Sequence, residues 1–184
     1  RLYFGDLGGN VWRVDLNDEL QTSSTGGDVA IVGKLADISL SAGVVPGPHM
    51  TESRKFYTAP DIVQVVDSLF NDEARYDLVI IASGNRPDPL NDIVRNSVFA
   101  FRDVAVTGMK DDNGDGLVDA SDPDFETITK SDLFDVTDNP FQTAQDGSFA
   151  DQSTALNFLP DMQAASGWFI NLQEPNGDWI GEKG

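Results

Sequence analysis

Short apolar runs broken by Gly, Asn, Asp and Pro recur along almost the whole chain, and helical periodicity is scarce, which is the pattern of an all-β protein. RLYFGD reads as a strand, LGGN as a tight turn whose glycines accommodate positive φ, and VWRVDL as the return strand. In that strand Val11, Arg13 and Asp15 share one face, and Trp12, Val14 and Leu16 share the other. VAIVGKLADI predicts a further strand, and KFYTAPDIVQVV a strand, a Pro bend and a second strand. YDLVIIAS has the continuous apolar core of an interior strand buried on both faces. NSVFAFRDV alternates Val98, Ala100 and Arg102 with Phe99, Phe101 and Asp103. GWFINL is a late strand, followed by a turn in QEPNGD and the start of another strand at WIGEKG. Residues 17–28 read as a polar loop, 41–55 as irregular and GNRPDPLND as a long turn. Helix is expected only within 127–165. A short turn in TKSDLFDVTD would be capped by Ser131 or Asp132, and a second helical stretch, in SFADQSTALNFLPDMQAAS, would end at Pro160. The recurring hairpins suit sheets of about 40–50 residues each, as in a β-propeller, but internal identity is weak and leaves a propeller and a sandwich equally open.

Charge narrows the function classes. The 184 residues carry 31 acidic against 12 basic side chains, a formal charge of −19. A nucleic-acid partner or docking on anionic lipid needs a positive face, so neither is expected. Cation binding is in keeping with such a balance. The chain has no cysteine, which removes disulfides, thiolate zinc sites and cysteine nucleophiles. No apolar run approaches the roughly 20 residues of a membrane helix, and no secretory signal opens the chain, so a mature piece or a fragment is expected.

The acid concentrates in KDDNGDGLVDASDPDFE, from Lys110 to Glu126. Counted from Asp111, the spacing is D-x-N-x-D-G-x-x-D-x-x-D. Calcium takes about six to eight oxygens, and a twelve-residue loop supplies them at alternate positions as it winds around the ion. Asp111, Asn113, Asp115, Asp119 and Asp122 fall on side-chain ligand positions, and Leu117 offers its carbonyl. Gly116 sits where the loop turns sharply, and the twelfth position carries the short Asp122 in place of the usual Glu. A solvated acidic loop is the plain alternative, but it does not account for the spacing. Magnesium suits the set less well, because it prefers fewer protein ligands and near-ideal octahedral geometry. Asp124 and Glu126 are candidate outer-shell groups. No long amphipathic helices flank the loop, so it is expected as a clamp inserted between β elements.

Other constellations are bland. His49 is the only histidine and there is no G-x-S-x-G elbow, so neither a Ser-His-Asp hydrolase nor a histidine zinc site is expected. Arg86 is expected to clamp its turn through Asp88 or Asp92, and Trp12, Trp168 and Trp179 to fill an inter-sheet core.

Five segments then join in order: LYFGDLGGNVWRVDL, RKFYTAPDIV, LVIIASGNRPDPLND, NSVFAFRD and GWFINL with a later GEKG. Together they resemble the C-terminal propeller domain of PilY-type proteins, tip-associated factors of type IV pili. Ala82 stands where the family's G-S-G turn begins with glycine. The resemblance implies a partial β-propeller over residues 1–184, about two to three blades of a larger ring. It also implies an insertion over about 104–165 that holds the calcium loop 111–122 and a few short helices. It further implies a calcium-dependent, non-enzymatic cell-surface protein acting in adhesion, twitching motility and pilus extension or retraction. Its partners would be pilin subunits or other pilus-tip proteins, and a host or abiotic surface. Two alternatives remain: a quinoprotein-dehydrogenase-like propeller, and a purely structural calcium-stapled adhesin domain.

Overall fold

The structure, a computed structural model, describes residues 1–16, 30–39, 54–67, 74–88, 96–112, 114–120, 122, 126–138 and 152–172. The strand start at WIGEKG and the side chains of His49, Asp92, Asn113, Asp124 and Trp179 lie outside these residues.

Among the described residues, ten strands form two five-stranded sheets. The first sheet holds β1 (Leu2–Gly5), β2 (Asn10–Leu16), β3 (Ala30–Asp37), β7 (Leu117–Val118) and β8 (Ile128–Thr129). β1, β2 and β3 are an antiparallel meander, and β7 and β8 lie one after the other along the far edge of β3, both parallel to it. The second sheet runs β4 (Asp61–Asp67), β5 (Ala74–Ala82), β6 (Ser97–Asp103), β10 (Gly167–Asn171), β9 (Phe134–Asp135). The expected insertion is therefore sewn into both sheets, through β7 and β8 on one side and β9 on the other.

The inner faces meet in one apolar cluster that includes Val11, Leu35, Val79, Ile81, Phe99, Phe101 and Phe169. Phe99 is its centre, edge-on to Phe56 with ring centroids 6.0 Å apart and stacked with Phe101 at 6.0 Å. Gly5 on β1 lies hard against Phe56 and against Ile81 of the second sheet. A Cβ there would overlap Phe56 and lie 2.7 Å from Ile81 Cδ1, so only glycine fits.

The all-β reading and most strand positions agree with the structure, and five local expectations are corrected. Lys55–Tyr57 is not a strand. It is an extended stretch bridging the sheets, with the Phe56 amide donating to the Asp6 carbonyl and the Gly84 amide to the Lys55 carbonyl. β5 is interior but not buried on both faces: Asp77, Val79 and Ile81 are buried, whereas Leu78 and Ile80 are half-buried. Trp12 is not in the inter-sheet core, because strand alternation turns Val11, Arg13 and Asp15 inward and Trp12 outward. Trp168 likewise stands opposite the buried Phe169. Thr129 caps the short 3-10 turn Lys130–Asp132, and Asp132 Oδ2 reaches back to accept the Thr129 amide at 2.8 Å and hydroxyl at 2.6 Å.

The fifth correction concerns α1 (Gln152–Ala164), which continues through Pro160. Tertiary contacts hold its tail: Arg102 donates to the carbonyls of Gln163 at 3.2 Å and Ala165 at 3.0 Å. The Ser166 amide also donates to the Asp132 carbonyl.

Candidate metal loop and its buried anchor

The acidic loop leaves β6 and returns as β7. Its first carboxylate organises the backbone around itself: Asp111 Oδ1 accepts the Gly114 amide at 2.6 Å, and Oδ2 accepts the Gly116 amide at 2.7 Å. Both glycines have positive φ, 77° and 83°, a conformation that L side chains rarely adopt. Asp115 Oδ1 accepts the Leu117 amide at 2.8 Å. Asp122 is only 4% exposed and ties the two ends together, accepting the Asp112 amide at 2.9 Å and the Asp119 amide at 3.0 Å. The short twelfth side chain thus reaches across the loop.

Leu117 is fixed from outside the loop. The Val32 amide donates to the Gly116 carbonyl at 3.0 Å as β7 joins β3. Successive carbonyls of a strand point to opposite edges, so the Leu117 carbonyl is turned away from β3. Asp111, Asp115, Leu117, Asp119 and Asp122 thus offer only oxygen, the donor type that a hard cation takes. Their carboxylates do not converge, however: among the described residues no three His, Cys, Asp or Glu side chains gather closely enough to hold a metal. Asp111 and Asp122 here shape the backbone. The described geometry therefore fits calcium in donor chemistry and loop form, and lacks the gathered carboxylates.

The loop's root is held by a cluster that the sequence reading did not single out. Arg13 is fully buried between the sheets. Its Nε and Nη2 donate to the two carboxylate oxygens of Asp15 at 2.8 and 2.6 Å, and Nη1 lies 2.8 Å from both oxygens of Asp103. The Tyr3 hydroxyl donates to Asp103 Oδ2 at 2.7 Å and lies 3.1 Å from Asp77, which Arg1 also contacts. The same carboxylates hold the chain beyond β6: Asp103 accepts the Ala105 amide at 3.1 Å, and Asp15 accepts the Met109 amide at 2.9 Å. Arg1 donates to the Val106 carbonyl.

Burial alone would push the Asp15 carboxyl up, but hydrogen bonds from Arg13 and the Met109 amide outweigh it and hold it below the usual aspartate range. Arg13 is shifted further up: burial opposes its charge, and Asp15 and Asp103 more than compensate. Tyr3 is pushed well above the usual tyrosine range, first by burial and then by its bond to Asp103. Asp6 plays a similar part at the β1–β2 turn. It accepts the amides of Gly8 and Asn10 and the Trp12 indole N–H at 2.8, 2.9 and 2.9 Å. These donors overcome burial and lower its pKa.

Of the expected Arg86 clamp, the Asp88 arm is not formed among the described residues, where Arg86 is exposed and makes no ion pair with Asp88; Asp92 lies outside them. The signal for the real clamp was an Arg and an Asp alternating with Val11 on one strand face. Compared with known proteins, the chain matches no family model, no curated protein and no solved structure.

Proposed function

We propose that this chain is a non-enzymatic, calcium-binding β-domain of a cell-surface type IV pilus factor, in which the loop 111–122 staples one sheet. The observation that carries calcium is the closure of the loop. Asp122 joins its two ends, Gly114 and Gly116 take the positive φ of its turns, and the seventh position is registered on β3. When bound, calcium would supply charge to draw together carboxylates that otherwise repel. Asp111, Asp115, Asp119 and Asp122, the Leu117 carbonyl and the Asn113 side chain would hold it. The pilus assignment rests on the five ordered segments that resemble PilY-type propellers. The two sheets packed face to face are compatible with neighbouring blades of such a ring. In this reading the protein acts outside the cell, at the pilus tip or outer membrane, with pilins or other tip proteins as partners.

A second reading, a purely structural calcium-stapled adhesin domain, is favoured by the sewing of β7 and β8 onto β3, which makes the loop part of the sheet itself.

Titration calorimetry of EDTA-stripped protein tests the calcium claim. Saturable heat with calcium is expected, together with a loss of affinity in Asp115→Ala. An absence of heat, or an unchanged titration in that variant, rejects it. Twitching assays on cells carrying the same substitution separate the two readings, since only a pilus factor would alter motility.

A further inference from the structure

Outside the buried cluster, the outer face of the first sheet carries an open groove of about 650 Å³. That volume lies within the range of small-ligand pockets, about 300–1,000 Å³. One wall is Trp12, half-buried on β2. Its ring is fixed before any ligand arrives, because the indole N–H donates to Asp6 Oδ2 at 2.9 Å. The Lys34 ammonium lies over this ring, 5.4 Å from its centroid, and 3.1 Å from Asp37 Oδ2. Asp37 is held in place by the Ser39 amide at 3.0 Å. The opposite wall is the β7 segment with Asp119, and the half-buried Thr127 adds a hydroxyl.

We infer that this groove binds a neutral carbohydrate chain. An aromatic ring held rigid at a shallow, open site, beneath a flexible lysine side chain that a ligand can displace, offers the apolar face of a sugar a platform. Around it stand a cationic donor, carboxylate acceptors and a hydroxyl, the mixed set that ring hydroxyls need, since each both donates and accepts. Paired Lys34 and Asp37 leave the groove no strong charge of its own, and the −19 of the whole chain opposes an anionic polymer. The inference does not rest on calcium occupying the neighbouring loop, although Asp119 belongs to both.

Chitohexaose, cellohexaose and mannohexaose, with heparin as the anionic comparison and an oligolysine peptide as the cationic one, are titrated by calorimetry into the whole chain. Each titration is run in calcium and again in EDTA. Millimolar or tighter binding of at least one neutral oligosaccharide, in either buffer, is expected. Trp12→Ala should weaken it by about tenfold or more, the loss of one stacking platform. Because Trp12→Ala also removes a bond to Asp6, Thr127→Val is measured beside it as a milder change, expected to weaken binding while leaving the far-ultraviolet dichroism unchanged. Failure of all three neutral sugars in both buffers overturns the inference, as does binding of heparin or oligolysine alone. Sugar binding that persists in both variants also overturns it, by placing the site elsewhere. Failure of calcium binding, read separately in the EDTA-stripped titration, leaves it standing.

Discussion

Arg13 is a full positive charge at a position with no solvent exposure, and its two carboxylate partners answer it with four donor–acceptor contacts. Buried pairs of this kind contribute little net stability compared with apolar residues of the same shape, but breaking one strands the partners. Arg13→Ala leaves Asp15 and Asp103 buried without their shared cation, so a loss of about 3–5 kcal/mol is expected in urea unfolding. A loss below about 1 kcal/mol would show that the carboxylates find water instead. The sequence displayed the alternation on β2 but not which face turns inward. By hydrophobicity the face of Trp12, Val14 and Leu16 is the better core face, and it is the other that is buried. What decides it lies far along the chain, where Asp77 and Asp103 supply the opposing charge and hydrogen-bond partners from the second sheet. Pairings across such sequence distances leave no local trace.

At the scale of elements, strands were legible wherever alternation was strong. β6 is the best case, with Phe99, Phe101 and Asp103 buried as one face. The short strands β7, β8 and β9 were not, because two residues of pairing carry no periodicity and exist only through the edges they join. The sharp turn at Gly116 was legible because a glycine that takes positive φ in a tight turn is a local property. α1 shows the reverse failure: Pro160 reads as a stop, yet the helix passes through it because Arg102 and Asp132 hold its tail. The missing amide at Pro160 is a standing cost to that helix, of about 3 kcal/mol in a helix interior. Pro160→Ala is therefore expected to stabilise the protein by about 1–3 kcal/mol, less the entropy it returns to the unfolded chain. A melting temperature lowered by the substitution would mean that proline shapes the helix for its docking.

For the whole molecule, the acid balance works in two directions. The formal charge of −19 repels itself, while a subset of carboxylates is held ionised by partners. Asp6, Asp15 and Asp37 each combine a burial penalty with donors that outweigh it, leaving folded values below the ordinary 3.8. The unfolded chain binds protons on these groups first, so their contribution is fully present above about pH 3.8 and is lost as pH falls from there through each folded value. Stability in urea is therefore expected to hold or rise on mild acidification, as self-repulsion falls, and to drop steeply below pH 3.8. A monotonic decline beginning near neutrality would place the controlling groups elsewhere.

The parallel pairing of β7 and β8 on β3 also sets an order of assembly. β1, β2 and β3 are joined as neighbours and can form from local contacts, but the chain must complete β4, β5 and β6 before the strands that cover β3 exist. Until then β3 presents an open row of amides and carbonyls, the template on which strands of other chains pair. A nascent chain halted before the acidic loop is thus sticky at that edge, and the loop that reads as an ion clamp is also what seals the sheet against its neighbours.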